Sequence, residues 1–115
     1  MPLRSIQSSQ RAPRQIMVRV DGVTAAAVLT LGGTDVSLTD TGTGDYLLTF
    51  AKAFSRVPVV MITCQATAGD VVATIGATLT GSAVQIRCWD ATDGTTAKDA
   101  LIHVIIIGYD SADQI

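Results

Sequence analysis

The feature that most constrains this chain is a series of short apolar runs, each followed by a turn signal. In AVQIRCWD (residues 83–90), for example, Val84, Ile86 and Cys88 alternate with Gln85 and Arg87. A side-chain period of two is that of a β-strand with one face against a core. Gly-rich and Asp-Gly turns separate the runs, and about eight short strands at this spacing predict an antiparallel β-sandwich that is jelly-roll-like.

Composition favours the same fold class. All ten acidic residues are Asp, Asn is absent, and only two lysines occur among 115 residues. Glu and Lys suit exposed helices, whereas Asp prefers turns and caps. Val, Ile and Thr, which are abundant here, suit a pleated and half-buried surface. The chain is therefore predicted to be all-β and to form one domain.

Charge is divided along the chain. Four of the eight basic residues precede the first acid, whereas from residue 21 onward four basic residues stand against ten acidic ones. Residues 1–14 show no periodicity and predict an extended basic N-terminal arm. Residues 15–110 are predicted to form the β-sandwich domain, and residues 111–115 a polar C-terminal tail.

The arginines of the arm are the candidate partner-binding residues. We expect Arg4, Arg11 and Arg14 to contact an acidic neighbouring protein, with a solvated tail as the alternative. Nucleic acid is not an expected partner, because no aromatic residues are interleaved with these arginines.

Signatures of catalysis and of metal binding are missing from the sequence. The single histidine, His103, lies in an apolar run, and neither a Gly-x-Ser-x-Gly motif nor a Walker loop occurs. The Asp-rich segments at residues 40–45 and 90–94 have oxygen ligands but not the EF-hand spacing, and turn chemistry accounts for both. We expect no enzymatic activity, no catalytic residue, no metal ion and no cofactor.

The two cysteines and the absence of targeting signals bear on where the chain is made. Cys64 and Cys88 lie in strand-like runs, which predicts two buried free thiols, although a disulfide stays open if their strands are neighbours. No run resembles a signal peptide or is long enough to span a membrane as a helix. We expect a chain made in a reducing cytoplasm, with no membrane partner.

The last strand-like run, ALIHVIIIGYD (residues 100–110), is apolar on both faces. It contains Ile102, Val104, Ile105, Ile106 and Ile107. In a sheet with one face in water, such a strand would expose Ile105 and Ile107. A second layer or another subunit must cover them, so this strand is predicted to build the core or a homo-oligomer contact.

Trp89 is the only tryptophan and alternates in phase with Arg87. A half-exposed tryptophan beside an arginine could bind a sugar or lie in a subunit interface. A Trp89 that covers an edge of the core is an equally open interpretation.

The run GDYLLTFAKAFSRVPVV (residues 44–60) holds both phenylalanines, Phe50 and Phe54, and is followed by an apolar stretch after Pro58. It predicts a strand, a crossing turn and then a second, central strand over residues 58–67. Its pattern, Gly-x-Tyr-x-Leu-x-Phe-x3-Phe-x3-Pro-x-Val, resembles a run in small β-sandwich domains of bacteriophage virions. Tail-fibre head domains and small capsid-associated proteins are among these, and H-type lectin domains show a similar run.

The resemblance implies a set of roles. Tyr46, Phe50, Phe54 and Pro58 would form the core at a crossing between sheets, and the domain would assemble as a homo-oligomer, with a trimer favoured. The chain has no shaft, collagen-like repeat or heptad, which favours a capsid decoration or cement protein on the capsid surface of a virion, with the major capsid protein as its partner. The alternative is a tail-fibre, receptor-binding or carbohydrate-binding module that uses Arg87 and Trp89.

Overall fold

The computed structural model describes residues 13–23, 27–65 and 70–110, and these residues form eight β-strands without a helix. The strands are β1 (Arg14–Asp21), β2 (Val28–Leu31), β3 (Val36–Gly42), β4 (Asp45–Phe50), β5 (Val59–Gln65), β6 (Val71–Leu79), β7 (Ala83–Asp90) and β8 (Leu101–Gly108). Two four-stranded antiparallel sheets result, sheet A in the order β2-β1-β8-β5 and sheet B in the order β3-β4-β7-β6. The predicted all-β antiparallel sandwich is confirmed.

Three of the seven connections between the described strands are hairpins within one sheet. The pairs β1–β2, β3–β4 and β6–β7 are neighbours both in the chain and in a sheet, whereas β8 returns to lie between β1 and β5. The other four connections, β2–β3, β4–β5, β5–β6 and β7–β8, pass from one sheet to the other. Gly76 lies where the register of β6 against β7 shifts, between Ile75 and Leu79, as a bulge requires.

The core follows from the alternation of each strand. In sheet A, the inward residues of β1 and β8 pair across the sheet, for example Ile16 with Ile106 and Val18 with Val104. All of these are at most 2 % exposed. Sheet B contributes Tyr46, Leu48, Val84, Ile86 and Cys88 from β4 and β7. The two central strands of each sheet therefore supply most of the core, as expected for sheets that pack face to face.

β5 occupies a different place from the one predicted. The prediction of a central strand over residues 58–67 is wrong, because β5 is an edge strand that pairs only with β8. Its outward residues Val59 and Met61 are 63 % and 49 % exposed. They are apolar although no second layer among the described residues covers them.

The two phenylalanines mark the crossing between the sheets. β4 ends at Phe50 in sheet B and β5 begins in sheet A, so residues 51–58 carry the chain across. Both rings are 5 % exposed, and their centroids lie 5.2 Å apart at an interplanar angle of 83°, which is a favourable edge-to-face contact. Pro58 is buried directly before β5. The four-residue spacing of the phenylalanines thus belongs to a crossing segment and not to a helix.

The sandwich has two distinct ends. At the arm end, Arg14 pairs with Gly108, and the Phe54 and Ser55 amides donate to the carbonyls of Gly81 and Tyr109. The opposite end, here called the loop end, carries the β3–β4 turn and residues 91–99. Residue 13 and residue 110 therefore leave the domain at the same end, where the arm begins and the chain continues towards its C-terminus.

Candidate functional site

The outer face of sheet A carries an exposed apolar surface. Met17, Ile105 and Met61 form one row across β1, β8 and β5, and Ile107 and Val59 are paired in the next row. Met17 is 58 % exposed, and Ile105 and Ile107 are half-buried by their neighbours in the sheet. These five residues are called the apolar face below. It is one contiguous patch on one side of the sandwich.

The inward and outward halves of β8 have different surroundings. Ile102, Val104 and Ile106 point into the core and are at most 1 % exposed. Ile105 and Ile107 point outward into the apolar face. The prediction left core and oligomer contact open for this strand as a whole, and the structure divides the five residues between the two faces.

Sequence reasoning did not include Met17, Val59 and Met61 in this surface. Met17 alternates with the buried residues Ile16 and Val18, whereas β5 is apolar on both faces and its outward side could not be read from its own sequence. Their proximity to Ile105 and Ile107 was not readable, because it depends on the order β1-β8-β5 in sheet A.

The outer face of sheet B is more polar by contrast, although Val72 beside Trp89 is 44 % exposed there. Asp45, Arg87 and Thr74 form a row across β4, β7 and β6, with Gln85 in the neighbouring row. The Gln85 Nε2 donates a hydrogen bond to Asp45 Oδ1 at 2.9 Å. The sandwich therefore presents a hydrated face on one side and the apolar face on the other.

Trp89 lies at the loop end of this polar face and is half-buried. The Arg87 guanidinium carbon lies 5.1 Å from the centroid of the Trp89 ring, and the Trp89 Nε1 donates to Thr74 Oγ1 at 3.3 Å. Ala97 forms an isolated β-bridge with Trp89. One face of the indole ring and its N–H group are thus used within the domain.

Arg14 lies within the domain, next to the residues predicted to form the arm. Its Nε donates to Asp110 Oδ1 at 2.7 Å, and its Nη2 donates to the Lys52 carbonyl at 2.8 Å. The guanidinium carbon lies 4.0 Å from the centroid of the Phe54 ring. Arg14 is the first residue of β1, one residue before the start predicted for the domain. The partner-binding role predicted for this arginine stays a prediction.

The remaining predicted arm and tail residues are not part of the described structure. Arg4 and Arg11 lie outside the described residues, as does the predicted tail, residues 111–115.

The loop end contains an open polar depression, which is lined by Asp40, Thr41, Gly42, Thr43 and Asp99. Asp99 Oδ1 accepts the Gly44 amide at 2.7 Å, and Asp40 accepts the Gly42 amide at 3.2 Å. Both carboxylates therefore hold backbone amides of the β3–β4 turn in place. Within residues 13–23, 27–65 and 70–110, no group of three or more His, Cys, Asp or Glu side chains is arranged to hold a metal ion.

The second Asp-rich segment is a pair of side-chain-capped turns. Asp90 Oδ1 accepts the amide and the hydroxyl of Thr92 at 2.9 and 2.8 Å. Asp93 accepts the amides of Thr95 and Thr96 and the Thr96 hydroxyl. These hydrogen bonds lower the pKa of Asp93 to about 2, and the bonds from Thr92 lower the pKa of Asp90.

The two thiols and the histidine lie within the packed strands of the domain. Cys64 is half-buried and Cys88 is buried, and both thiols are free. Burial raises the pKa of Cys64 and raises that of Cys88 to about 12. His103 Nε2 lies 3.1 Å from Gln65 Oε1 on the outer face of sheet A.

No helix in the described part of the chain is long and apolar enough to cross a membrane. Comparisons of the sequence with protein-family models and with curated proteins, and of the fold with solved structures, find no match.

Proposed function

We propose that this chain is a non-enzymatic structural protein of a bacteriophage virion, a capsid decoration or cement protein that binds the assembled shell. The observation that carries the proposal is the apolar face. Met17, Val59 and Met61 are each about half exposed or more, and they surround Ile105 and Ile107. A contiguous apolar patch with a polar rim is the usual mark of a protein contact.

The polar groups of the domain support a role in contact rather than in turnover. Asp99 and Asp40 hold backbone amides at the loop end, and Asp90 and Asp93 cap turns. His103 is partnered with Gln65. Each of these groups takes part in a hydrogen bond within the domain, whereas the apolar face is not covered by any other described part of the chain.

The arm gives the second contact. Arg14 fixes the start of β1 through Asp110 and Phe54, so the residues before it leave from a fixed point at the arm end. Arg4 and Arg11 then contact an acidic surface of the major capsid protein. From residue 21 onward the chain is net acidic, so it is repelled by an acidic shell and the electrostatic attraction must come from the arm.

The mechanism is thermodynamic linkage. A protein that binds the assembled shell and not its free subunits stabilises the shell by the free energy of that binding. The apolar face provides area that is removed from water, and the arm adds ion pairs that set the orientation.

Co-sedimentation with assembled shells of the virus that encodes the chain tests the proposal. We expect saturable binding that Met17→Lys weakens about tenfold or more, because a charge at the centre of an apolar contact must be desolvated. Thr49→Lys places the same charge on the exposed outer face of sheet B and serves as the matched control. Equal binding by both variants, or no binding by the natural chain, would contradict the proposal.

The carbohydrate-binding alternative has less support. Arg87 covers one face of the Trp89 ring, and Thr74 accepts its N–H, so the ring offers a sugar only its remaining face. Glycan binding that is lost in Trp89→Ala, without binding to shells, would favour this alternative.

A further inference from the structure

The four edge strands of the sandwich differ in how they are protected. β2 has four residues and a register shift opposite Arg19 and Val20. β3 carries Asp40 at its own register shift, and β6 has a bulge between Ile75 and Leu79. Short edges, charges and bulges are the devices by which proteins prevent a further strand from pairing.

β5 has none of these devices. Its seven residues, VVMITCQ, include no charge, proline or glycine, and it pairs with β8 without a register shift from Val59 to Gln65. Among the described residues, no backbone hydrogen bond outside the β5–β8 ladder reaches this strand. Its free side therefore presents a straight row of backbone donors and acceptors.

The side chains of β5 are also incompletely covered. Val60, Ile62 and Cys64 point inward but stay only half-buried, whereas the inward residues of β8 are at most 1 % exposed. This difference is expected at an edge where one more strand would complete the layer. On the outer side, Val59 and Met61 carry the apolar face up to the edge itself.

We propose that β5 pairs antiparallel with β5 of a second copy of this chain, so that sheet A becomes one eight-stranded sheet across a two-fold axis. With Ile62 opposite Ile62, Met61 lies opposite Thr63 and Val60 opposite Cys64. No charge meets a like charge in this register, because the strand has none. The inward side chains at the axis cover one another, and the two apolar faces become continuous.

This inference goes beyond the proposed function and does not depend on it. A two-fold axis gives a dimer, and not the trimer that the resemblance implied. The dimer forms in the absence of any shell, whereas the shell-binding test uses Met17 on β1, which is separated from the β5 edge by β8. Failure of either test therefore leaves the other result interpretable.

The first experiment measures mass in solution by light scattering at micromolar concentration. We expect the natural chain to have twice the mass of its 12.0 kDa monomer. Thr63→Lys, which adds a charge to an exposed position of β5, is expected to give the monomer mass. Thr39→Lys makes the same change at an exposed position of edge strand β3 and should leave the dimer intact. A natural chain of monomer or trimer mass, or a dimeric Thr63→Lys variant, would overturn the proposal.

A cross-linking experiment tests the register and does not depend on the lysine variant being folded. Directly opposed residues of an antiparallel pair have Cα atoms about 4.5–5.5 Å apart, within the range of a disulfide. A mixture of Met61→Cys and Thr63→Cys chains should therefore form disulfide-linked dimers under mild oxidation. Each variant alone should form several-fold fewer, because its new cysteine faces a residue that is not cysteine. No excess of linked dimers in the mixture would overturn the pairing and would point to another occupant of this edge, such as the arm.

Discussion

Tyr46 and Asp99 are joined by a partly buried hydrogen bond, in which the Tyr46 hydroxyl donates to Asp99 Oδ1 at 3.1 Å. The same oxygen accepts the Gly44 amide at 2.7 Å, and the Ala100 amide approaches the hydroxyl at 3.4 Å. A Cβ atom at Gly22 would collide with this hydroxyl. Tyr46 thus joins β4 to the segment that leads into β8, and burial raises the pKa of its hydroxyl.

Replacing Tyr46 by Phe should destabilise the domain by about 1–3 kcal/mol, because Asp99 and the Ala100 amide lose a partner in a buried place. Tyr109→Phe is the matched control. Tyr109 is only half-buried, so its variant should stay within about 0.5 kcal/mol of the natural chain. Urea unfolding of the three proteins measures both values. Equal stabilities for the two variants would mean that the hydroxyl of Tyr46 contributes nothing.

Gly108 is expected to resist replacement by alanine. A Cβ atom there would lie 2.6 Å from Phe54 Cδ1 and 3.0 Å from Pro58 Cβ. The Phe54 ring cannot move away easily, because Phe50 and Arg14 pack against it. Overpacking of this kind costs about 1–3 kcal/mol.

Gly33→Ala provides the control for the glycine test, since nothing lies within 4 Å of the added Cβ atom. Thermal unfolding should show a lower Tm for Gly108→Ala and little change for Gly33→Ala. A Gly108→Ala variant as stable as the natural chain would show that the crossing segment adapts.

Arg14 should act as an anchor of the fold. Arg14→Lys keeps the charge but loses the planar group that stacks on Phe54 and reaches Asp110 and the Lys52 carbonyl together. We expect a loss of about 1–2 kcal/mol in the free energy of unfolding. Arg19→Lys, at an exposed position of the same strand, should change it by less than about 0.5 kcal/mol. If both variants unfold at the same urea concentration, the contacts of Arg14 have no net effect on stability.

The sequence predicts the strands of this fold well because alternation is a local property. The run at residues 83–90, for example, coincides with β7. Sheet order is not local, and the edge position of β5 shows the difference. The sequence of β5 is apolar on both faces, as the sequences of central strands are. Only the position of β5 in sheet A shows that its outward face is exposed.

The candidate site was predictable to a similar degree. The outward position of Ile105 and Ile107 follows from the period of two in β8. The position of Met17 in the same surface requires the pairing of β1 with β8. Arg14 looks like part of the arm in sequence, because the partners that hold it, Phe54 and Asp110, lie 40 and 96 residues further along the chain.

Cys88 should be nearly inert in the folded protein. Burial raises the pKa of its thiol from an ordinary value of 9.0 to about 12, and the thiolate is the form that reacts. A higher pKa leaves less thiolate near neutral pH, and burial is the largest cause of the rise. Alkylation of Cys88 in a Cys64→Ala variant should therefore be at least about tenfold slower in the folded chain than in urea.

The same shift predicts how the stability of the domain depends on pH. The folded pKa is the higher one, so the folded state keeps the thiol proton at a pH where the unfolded state has lost it. The contribution of Cys88 is fully present below pH 9 and falls progressively as the pH rises towards about 12. Urea unfolding at several alkaline pH values should show this decline in the natural chain and a smaller one in Cys88→Ala. Equal declines in both proteins, together with rapid alkylation of Cys88, would show that its thiol is exposed to solvent rather than buried between the sheets.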